Sequence, residues 1–492
     1  MEQERKIPKV MSTQHPDNVD VPFFCKTSDF SGDDEIQEAY YMFSHANCDE
    51  QMWDSEGKEI DQYVIRKLLQ KYQNYFKKNR IGKDKFITLR IPNPSIEKDE
   101  AKIVVETLES IPRSFDIAKL FYGDGDYAPI FEIILPMTTS DIELNRLYYF
   151  YKNYISGKQH YPITYGDILI RDWVGEFLPE TINVIPLFEN VENILNSHNV
   201  IRKYIENKHF VYHRVFFARS DPAMYSSHIS AILANKVALQ RLRKLSEETG
   251  VKFYPILGVG SPPFRGHLTP YNVDNVIKEY PEVYTFTVQS AFKYDNPLED
   301  VQKAIKKLKN FPRRPFHEID EEEATYLIKK ISDKYRAKLE QISSVINQVA
   351  KHVPRRRRRK THTGLFGYSR SIGDIQLPRV IGFCASGYSI GFPPELLSIM
   401  SVDEEDYSKI KHIYVNFEED TKAALRYFNP DSLKLLGNKF QSIMKIIDHF
   451  EYEPDLNHKE ITSSIINDLL SGTTSEIQNK LVEAAHIRKF LG

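Results

Sequence analysis

Two carboxylates, Glu189 and Asp221, each follow an apolar run of strand length: Thr181-Ile-Asn-Val-Ile-Pro-Leu-Phe188 and Val211-Tyr-His-Arg-Val-Phe-Phe-Ala218. Carboxylates at the ends of consecutive strands, with strands spaced ~4.8 Å apart, can share one hard cation. Mg²⁺ or Mn²⁺ suits such oxygen ligands, with waters and a substrate oxygen completing the shell. Asp221 also precedes Pro222, so it equally fits a helix N-cap followed by proline. A third feature is Gly258-Val-Gly-Ser-Pro-Pro-Phe-Arg265-Gly-His267-Leu-Thr-Pro270, directly after the strand-like Val251-Lys-Phe-Tyr-Pro-Ile-Leu257. Its glycines and prolines stop the strand and bring backbone close to whatever lies there. With Arg265 as a fixed cation, this is either a small-anion site or a tight surface turn. The fourth is His15, in Met11-Ser-Thr-Gln-His15-Pro-Asp-Asn18. A histidine held in a turn suits proton transfer near neutral pH, and a solvated turn histidine is the plainer alternative.

Arg355-Arg-Arg-Arg-Arg359-Lys360 is the densest charge run. Nucleic-acid surfaces spread over a basic domain with stacking aromatics, whereas this chain has a formal net charge of −2. No nucleic-acid partner is therefore expected. A local anion loop at the mouth of a site, or a solvated basic loop, fits the run better.

These groups sit on an alternation of strands and helices. Strand patterns cover residues 86–91, ending in Arg90, and 128–136, followed by Thr138. Further strand patterns cover 181–188, 211–218, 251–257 and 283–289, with 379–384 as a short later candidate. Helical patterns intervene, and residues 1–50 read as mostly irregular. About seven such units in one series predict an α/β fold, a (β/α)8 TIM-type barrel with additional helices, mainly C-terminal. Arg90, Thr138, Glu189, Asp221, Arg265 and Gln289 all fall just past strand C-termini, where barrel enzymes keep their chemistry. The expected organisation is a barrel with its N-terminal catalytic segment and loops over 1–400, and a helical region packed on it over 401–492.

The 492 residues are 41% hydrophobic and 27% charged, which describes a soluble globular chain. Cys25, Cys48 and Cys384 are widely spaced and form no disulfide framework, which fits a cytoplasmic location. Met1-Glu-Gln-Glu-Arg-Lys-Ile lacks a signal-peptide apolar core, and no apolar run is long enough to span a membrane.

Taken together, Met11 to Asn18, Val184-Ile-Pro-Leu-Phe-Glu-Asn190, Arg219-Ser-Asp-Pro-Ala-Met224, Gly258 to Pro270 and Phe383-Cys-Ala-Ser-Gly-Tyr-Ser-Ile-Gly-Phe-Pro-Pro-Glu395 resemble the archaeal-type phosphoenolpyruvate carboxylases. The resemblance runs in order from residue 11 to about 400. It implies a homotetrameric barrel enzyme that forms oxaloacetate and phosphate from phosphoenolpyruvate and bicarbonate with Mg²⁺ or Mn²⁺. It implies Glu189 and Asp221 as metal carboxylates, His15 as the catalytic histidine and Arg265 as the Gly-loop arginine near bicarbonate. Arg90 is implied as a substrate arginine, and Arg370 and Arg379 as phosphate binders. The longer bacterial and plant enzymes carry an extra His and Arg where this chain has Leu257 and Val259. Arg219, or one of Arg355 to Arg359, is the expected replacement, and Arg219 and Gly266 are also expected to bind substrate. Gly258, Gly260 and Gly266 would let the loop close as a lid over the enolate. The alternative reading is another metal-dependent barrel lyase or phosphotransferase acting on pyruvate or phosphoenolpyruvate.

Overall fold

The computed structural model describes residues 5–25, 32–55, 61–357, 371–372 and 375–492. Eight parallel strands close into a barrel in sequence order: β1 (Val10–Ser12), β2 (Glu50–Asp54), β3 (Phe86–Arg90), β4 (Glu132–Leu135), β5 (Asn183–Phe188), β6 (Tyr212–Ala218), β7 (Lys252–Gly258) and β8 (Thr285–Val288). β8 returns to β1 with Val10 opposite Phe286 and Ser12 opposite Val288, so the sheet has no edge.

The period of two along each strand sorts its side chains. On β6, Val215 and Phe217 face outward into the main apolar core under the helices. Phe216 and Ala218 face inward and meet Met11, Met52, Ile134, Ile185, Leu187 and Ile256, which fill the barrel. Below that layer Arg214 reaches across the lumen. Its Nη1 donates to Glu50 (2.8 Å) and Glu132 (2.9 Å), and its Nη2 donates to Glu50 (2.7 Å).

Helices surround the strands. After β6 comes His228–Thr249, buried along most of its length between the barrel and the 30-residue helix Glu321–Ala350. The Asp320 carboxylate caps that long helix by accepting from the Glu322 and Glu323 amides. A second apolar cluster joins Phe264, Tyr335, Phe383, Tyr388, Phe428, Leu481 and Leu491 beside the Gly-rich loop. Among the described residues, no helix is long and apolar enough to cross a membrane.

Three local expectations change. Residues 10–12 and 50–54, inside or next to the stretch read as irregular, are the first two barrel strands. Residues 379–384, read as a strand, instead open the helix Val380–Ser389, which packs on neighbouring helices. Asp221 is not the cap of its helix: Ser220–Ser226 starts after Arg219, which leaves Asp221 in the first turn.

Candidate active site

The C-terminal mouth of the barrel is built around the Arg265 guanidinium, which is 1% exposed. Its Nε donates to Ser220 Oγ (3.1 Å), beside Asp221 at the end of β6. Its Nη1 donates to Asp17 Oδ2 (3.2 Å) and to the Gly492 main-chain oxygen. Its Nη2 donates to Gln289 Oε1, just past β8. One buried cation therefore ties the β1, β6, β7 and β8 ends together. A rigid forked donor suits this, because each N–H has a fixed direction.

The loop that carries Arg265 is closed on itself. The Gly260 amide donates to Arg265 O (2.8 Å), Leu268 N to Gly260 O (2.9 Å) and His267 N to Pro262 O (3.0 Å). Gly266 has φ +117°, and a Cβ there would lie 2.6 Å from Val259 Cγ1. Val259 to Arg265 are all buried. The glycines thus serve close packing, and the loop forms a packed wall of the site. Leu257 and Val259 lie in the main apolar core.

His15 stands on the loop after β1. Its Nδ1 lies 2.9 Å from Thr13 Oγ1, which orients the ring, and its carbonyl accepts from Ser290 N (3.3 Å). Two residues on, Asp17 is fully buried and accepts from Ala291 N (2.8 Å) as well as Arg265. Burial pushes the Asp17 carboxyl up, against the pull of the Arg265 charge.

Glu189 and Asp221 lie just past adjacent strands, both half-buried, with Leu187 of β5 opposite Phe216 of β6. Glu189 Oε2 accepts from the Met137 amide at 2.6 Å. Met137 takes φ +52°, a left-handed conformation that costs a non-glycine residue and here aims its N–H at the carboxylate. Two half-buried carboxylates on neighbouring strand ends fit a hard divalent ion whose remaining ligands are waters and substrate oxygens. Among the described residues, one group of three acidic side chains also clusters, Asp403, Glu405 and Asp406, but it already holds the Lys330 ammonium.

Arg90 ends β3 with its fork on Asp54 of β2: Nε to Oδ1 at 2.9 Å and Nη2 to Oδ2 at 2.8 Å. Nothing local in the sequence marks Asp54. Register alone explains it: Asp54 is the direct neighbour of Arg90.

Arg219 follows the outward parity of Val215 and Phe217. Its Nη1 donates to His228 O (3.4 Å), and its charge lies beside Tyr280, under the helices. Its side chain is 1% exposed, so it is held inside the protein. Gly266 is likewise a packing position. Arg379 sits half-buried at the start of the helix Val380–Ser389. Arg370, Arg358 and Arg359 lie outside the described residues. Arg355 is exposed, whereas Arg356 and Arg357 are buried. Arg356 Nε donates to Asn18 O (3.2 Å), and Arg357 pairs with Glu35 and Glu38. Those two arginines are internal anchors and do not form an open basic surface.

A phosphoenolpyruvate carboxylase family model matches residues 7–492. The phosphoenolpyruvate carboxylase of Methanothermobacter thermautotrophicus is 49% identical over 487 residues, covering 99% of this chain and 100% of that protein. The enzymes of the same name from Methanospirillum hungatei and Pyrococcus furiosus are 47% and 49% identical, covering 99% and 88% of this chain and 100% and 91% of their own lengths. Among solved structures, Haloferax volcanii malate synthase in its magnesium/glyoxylate complex aligns at 10% identity with a TM-score of 0.39, covering 86% of this chain and 99% of that one. The barrel assignment stands on the strand pairing itself. With a family match over nearly its whole length and full-length relatives close to half identical, the chain belongs to the phosphoenolpyruvate carboxylase family and is a carboxylating enzyme.

Proposed function

We propose that the chain joins phosphoenolpyruvate and bicarbonate at the barrel mouth, with His15 as the base and with Glu189 and Asp221 as the divalent-metal ligands. The observation that carries this reading is the Arg265 hub, which draws the segment bearing His15 and Asp17 against Ser220, the neighbour of Asp221. Acid–base and metal-ligating groups thereby share one wall.

Bicarbonate oxygen attacks phosphorus, and the bond from phosphorus to the enol oxygen breaks, giving carboxyphosphate and the enolate of pyruvate. When bound, Mg²⁺ or Mn²⁺ supplies charge neutralisation and a common template for the two reactants. Arg90 offers a guanidinium for phosphate or carboxylate, already oriented by Asp54. Arg379, and Arg370 from outside the described residues, are proposed to hold the phosphoryl group. His15 takes the carboxyphosphate proton, the carbon–oxygen bond to phosphate breaks, and carbon dioxide is released beside the enolate. The enolate methylene carbon attacks it and oxaloacetate forms. Thr13 orients the imidazole for that step. Arg265 acts through position, since its donors are directed at protein acceptors.

A cytoplasmic location is supported by the three unpaired thiols. Assembly as a homotetramer is supported by an exposed apolar segment that includes Tyr161, Ile163, Tyr165 and Trp173. The mass from light scattering checks it.

The test is oxaloacetate formation with and without bicarbonate and Mg²⁺, for the wild type and His15→Asn. Dependence on both reagents is expected, with the variant releasing pyruvate and phosphate in place of oxaloacetate. A His15→Asn enzyme that keeps the wild-type ratio of oxaloacetate to pyruvate removes His15 from the chemistry.

A further inference from the structure

Behind the His15 loop lies a buried cluster that the reaction scheme does not use. Glu38, on the helix Asp33–Ser44, is fully buried, as are Lys293 and Arg357. Arg357 Nη2 donates to Glu38 Oε1 (2.6 Å) and Oε2 (2.8 Å), while Nη1 donates to Glu35 Oε1 (3.2 Å). Glu38 Oε1 also accepts from Lys293 Nζ and Tyr294 Oη, each at 2.8 Å. Two carboxylates face two cations, so the group is close to neutral without solvent. Burial alone would raise the Glu38 carboxyl, but the Arg357 and Lys293 charges overcome it and hold the group well below the usual carboxylate range.

The cluster reaches the catalytic loop by two routes. Lys293 Nζ donates to Thr13 O (2.7 Å) and Ser12 Oγ (3.3 Å). Gln14 Nε2 donates to Glu38 Oε2 (3.4 Å), and Gln14 Oε1 accepts from the Asp54 amide (3.1 Å). Thr13 and Gln14 are the two residues before His15, and Thr13 touches its ring. Next door, Arg356 holds Asn18 O. We infer that Arg357 is a positioning residue for His15. Its fork fixes Glu38, which fixes Lys293 and Gln14, and these set the backbone from which His15 projects.

The inference gives a role to part of a basic run that the reaction leaves unused. Arg357 acts from inside the protein, not as an anion ligand. It rests on the reading of His15 as the base. A base displaced by a fraction of an ångström still permits phosphoryl transfer but removes the carboxyphosphate proton late, so the enolate is protonated by water before carbon dioxide reaches it. The ratio of oxaloacetate to pyruvate per phosphate released reads this directly. It is independent of how much enzyme is folded, which a purely structural role would change.

The experiment measures that ratio, kcat and KM for phosphoenolpyruvate in Arg357→Met, Arg357→Lys and, as the exposed neighbour, Arg355→Met. Arg357→Met is expected to lower kcat about tenfold to a hundredfold, the scale of a misplaced catalytic group. KM should stay near the wild-type value and product should shift toward pyruvate. Arg357→Lys keeps the charge but loses the fork, so it moves the ratio the same way by less, and it decides the question if the Met variant does not fold. Arg355→Met leaves the ratio unchanged. A raised KM at unchanged ratio for the Arg357 variants, or the wild-type ratio in a folded Arg357→Lys and Arg357→Met, overturns the inference. If His15→Asn also keeps the wild-type ratio, the His15 reading falls and takes this coupling with it. If His15→Asn shifts the ratio and the Arg357 variants do not, the coupling alone falls.

Discussion

Glu395 is buried at the foot of the Gly-rich loop, where its Oε1 accepts from the Phe264 amide (2.6 Å) and from Tyr388 Oη (2.8 Å). Phe264 is the residue before Arg265, so this carboxyl supports the hub from below. Burial pushes it from an ordinary 4.5 to about 7, against the opposing pull of its two donors and of His267. Between those values the folded protein keeps a proton that the unfolded chain has released. The group's contribution to stability is therefore complete below its unfolded pKa and is lost as pH rises through about 7. At about 1.4 kcal/mol per pKa unit, the loss is on the order of 3 kcal/mol. Glu395→Gln cannot ionise. Its unfolding free energy, measured with urea across about pH 5 to 8.5, is expected to gain roughly that amount relative to the wild type. A difference that stays constant with pH would show that Glu395 is already ionised in the fold.

The Gly-rich loop holds its arginine by close packing, and this makes Gly266 its least replaceable position. Gly266→Ala places a methyl against Val259 and forces an L-residue to φ +117°. The expected cost is about 2–3 kcal/mol, with kcat falling because Arg265 is the preceding residue. Val259→Ala removes the worst contact, with Cγ1, but leaves Cβ at 2.9 Å and the backbone strain, so the double variant recovers part of the loss. Strictly additive urea-unfolding energies would mean that the two side chains do not meet. The strand before this loop was legible because Lys252–Gly258 is apolar, and the loop because glycine and proline mark it. β2 was illegible for the opposite reason. Its inward positions include Glu50 and Asp54, paired with Arg214 and Arg90, so the alternation that marks a half-buried strand was replaced by charge. Val380–Ser389 failed in the other direction. It is apolar on all sides because it is packed between helices, and a short apolar run does not distinguish helix from strand. Asp54, Glu38 and Lys293 share this limit, since their roles exist only once register and topology bring distant residues together.

Across the whole barrel, stability and chemistry sit at opposite ends. The floor is held by Arg214, which bridges β2, β4 and β6 inside the buried lumen, with Glu50 and Glu132 as its acceptors. Burial raises the Glu132 carboxyl against the pull of the Arg214 charge. Such a group is costly to break and neutral to replace, because removing one partner leaves a charge unpaired in a medium that cannot solvate it. Arg214→Met should lower the unfolding free energy by about 3–5 kcal/mol. The triple change Glu50→Leu, Glu132→Leu, Arg214→Met, similar in volume and without charge, should lower it by less than the single change does. A layer formed by Met11, Met52, Ile134, Ile185, Phe216 and Ile256 separates this floor from the mouth. The folded Arg214→Met enzyme should therefore keep the wild-type ratio of oxaloacetate to pyruvate and a KM for phosphoenolpyruvate close to wild type. Urea unfolding followed by steady-state kinetics on the same preparation checks both halves. A triple variant weaker than the single one would mean that the triad contributes net stability through its geometry. A shifted product ratio in Arg214→Met would mean that the apolar layer transmits strain from floor to mouth instead of insulating one from the other.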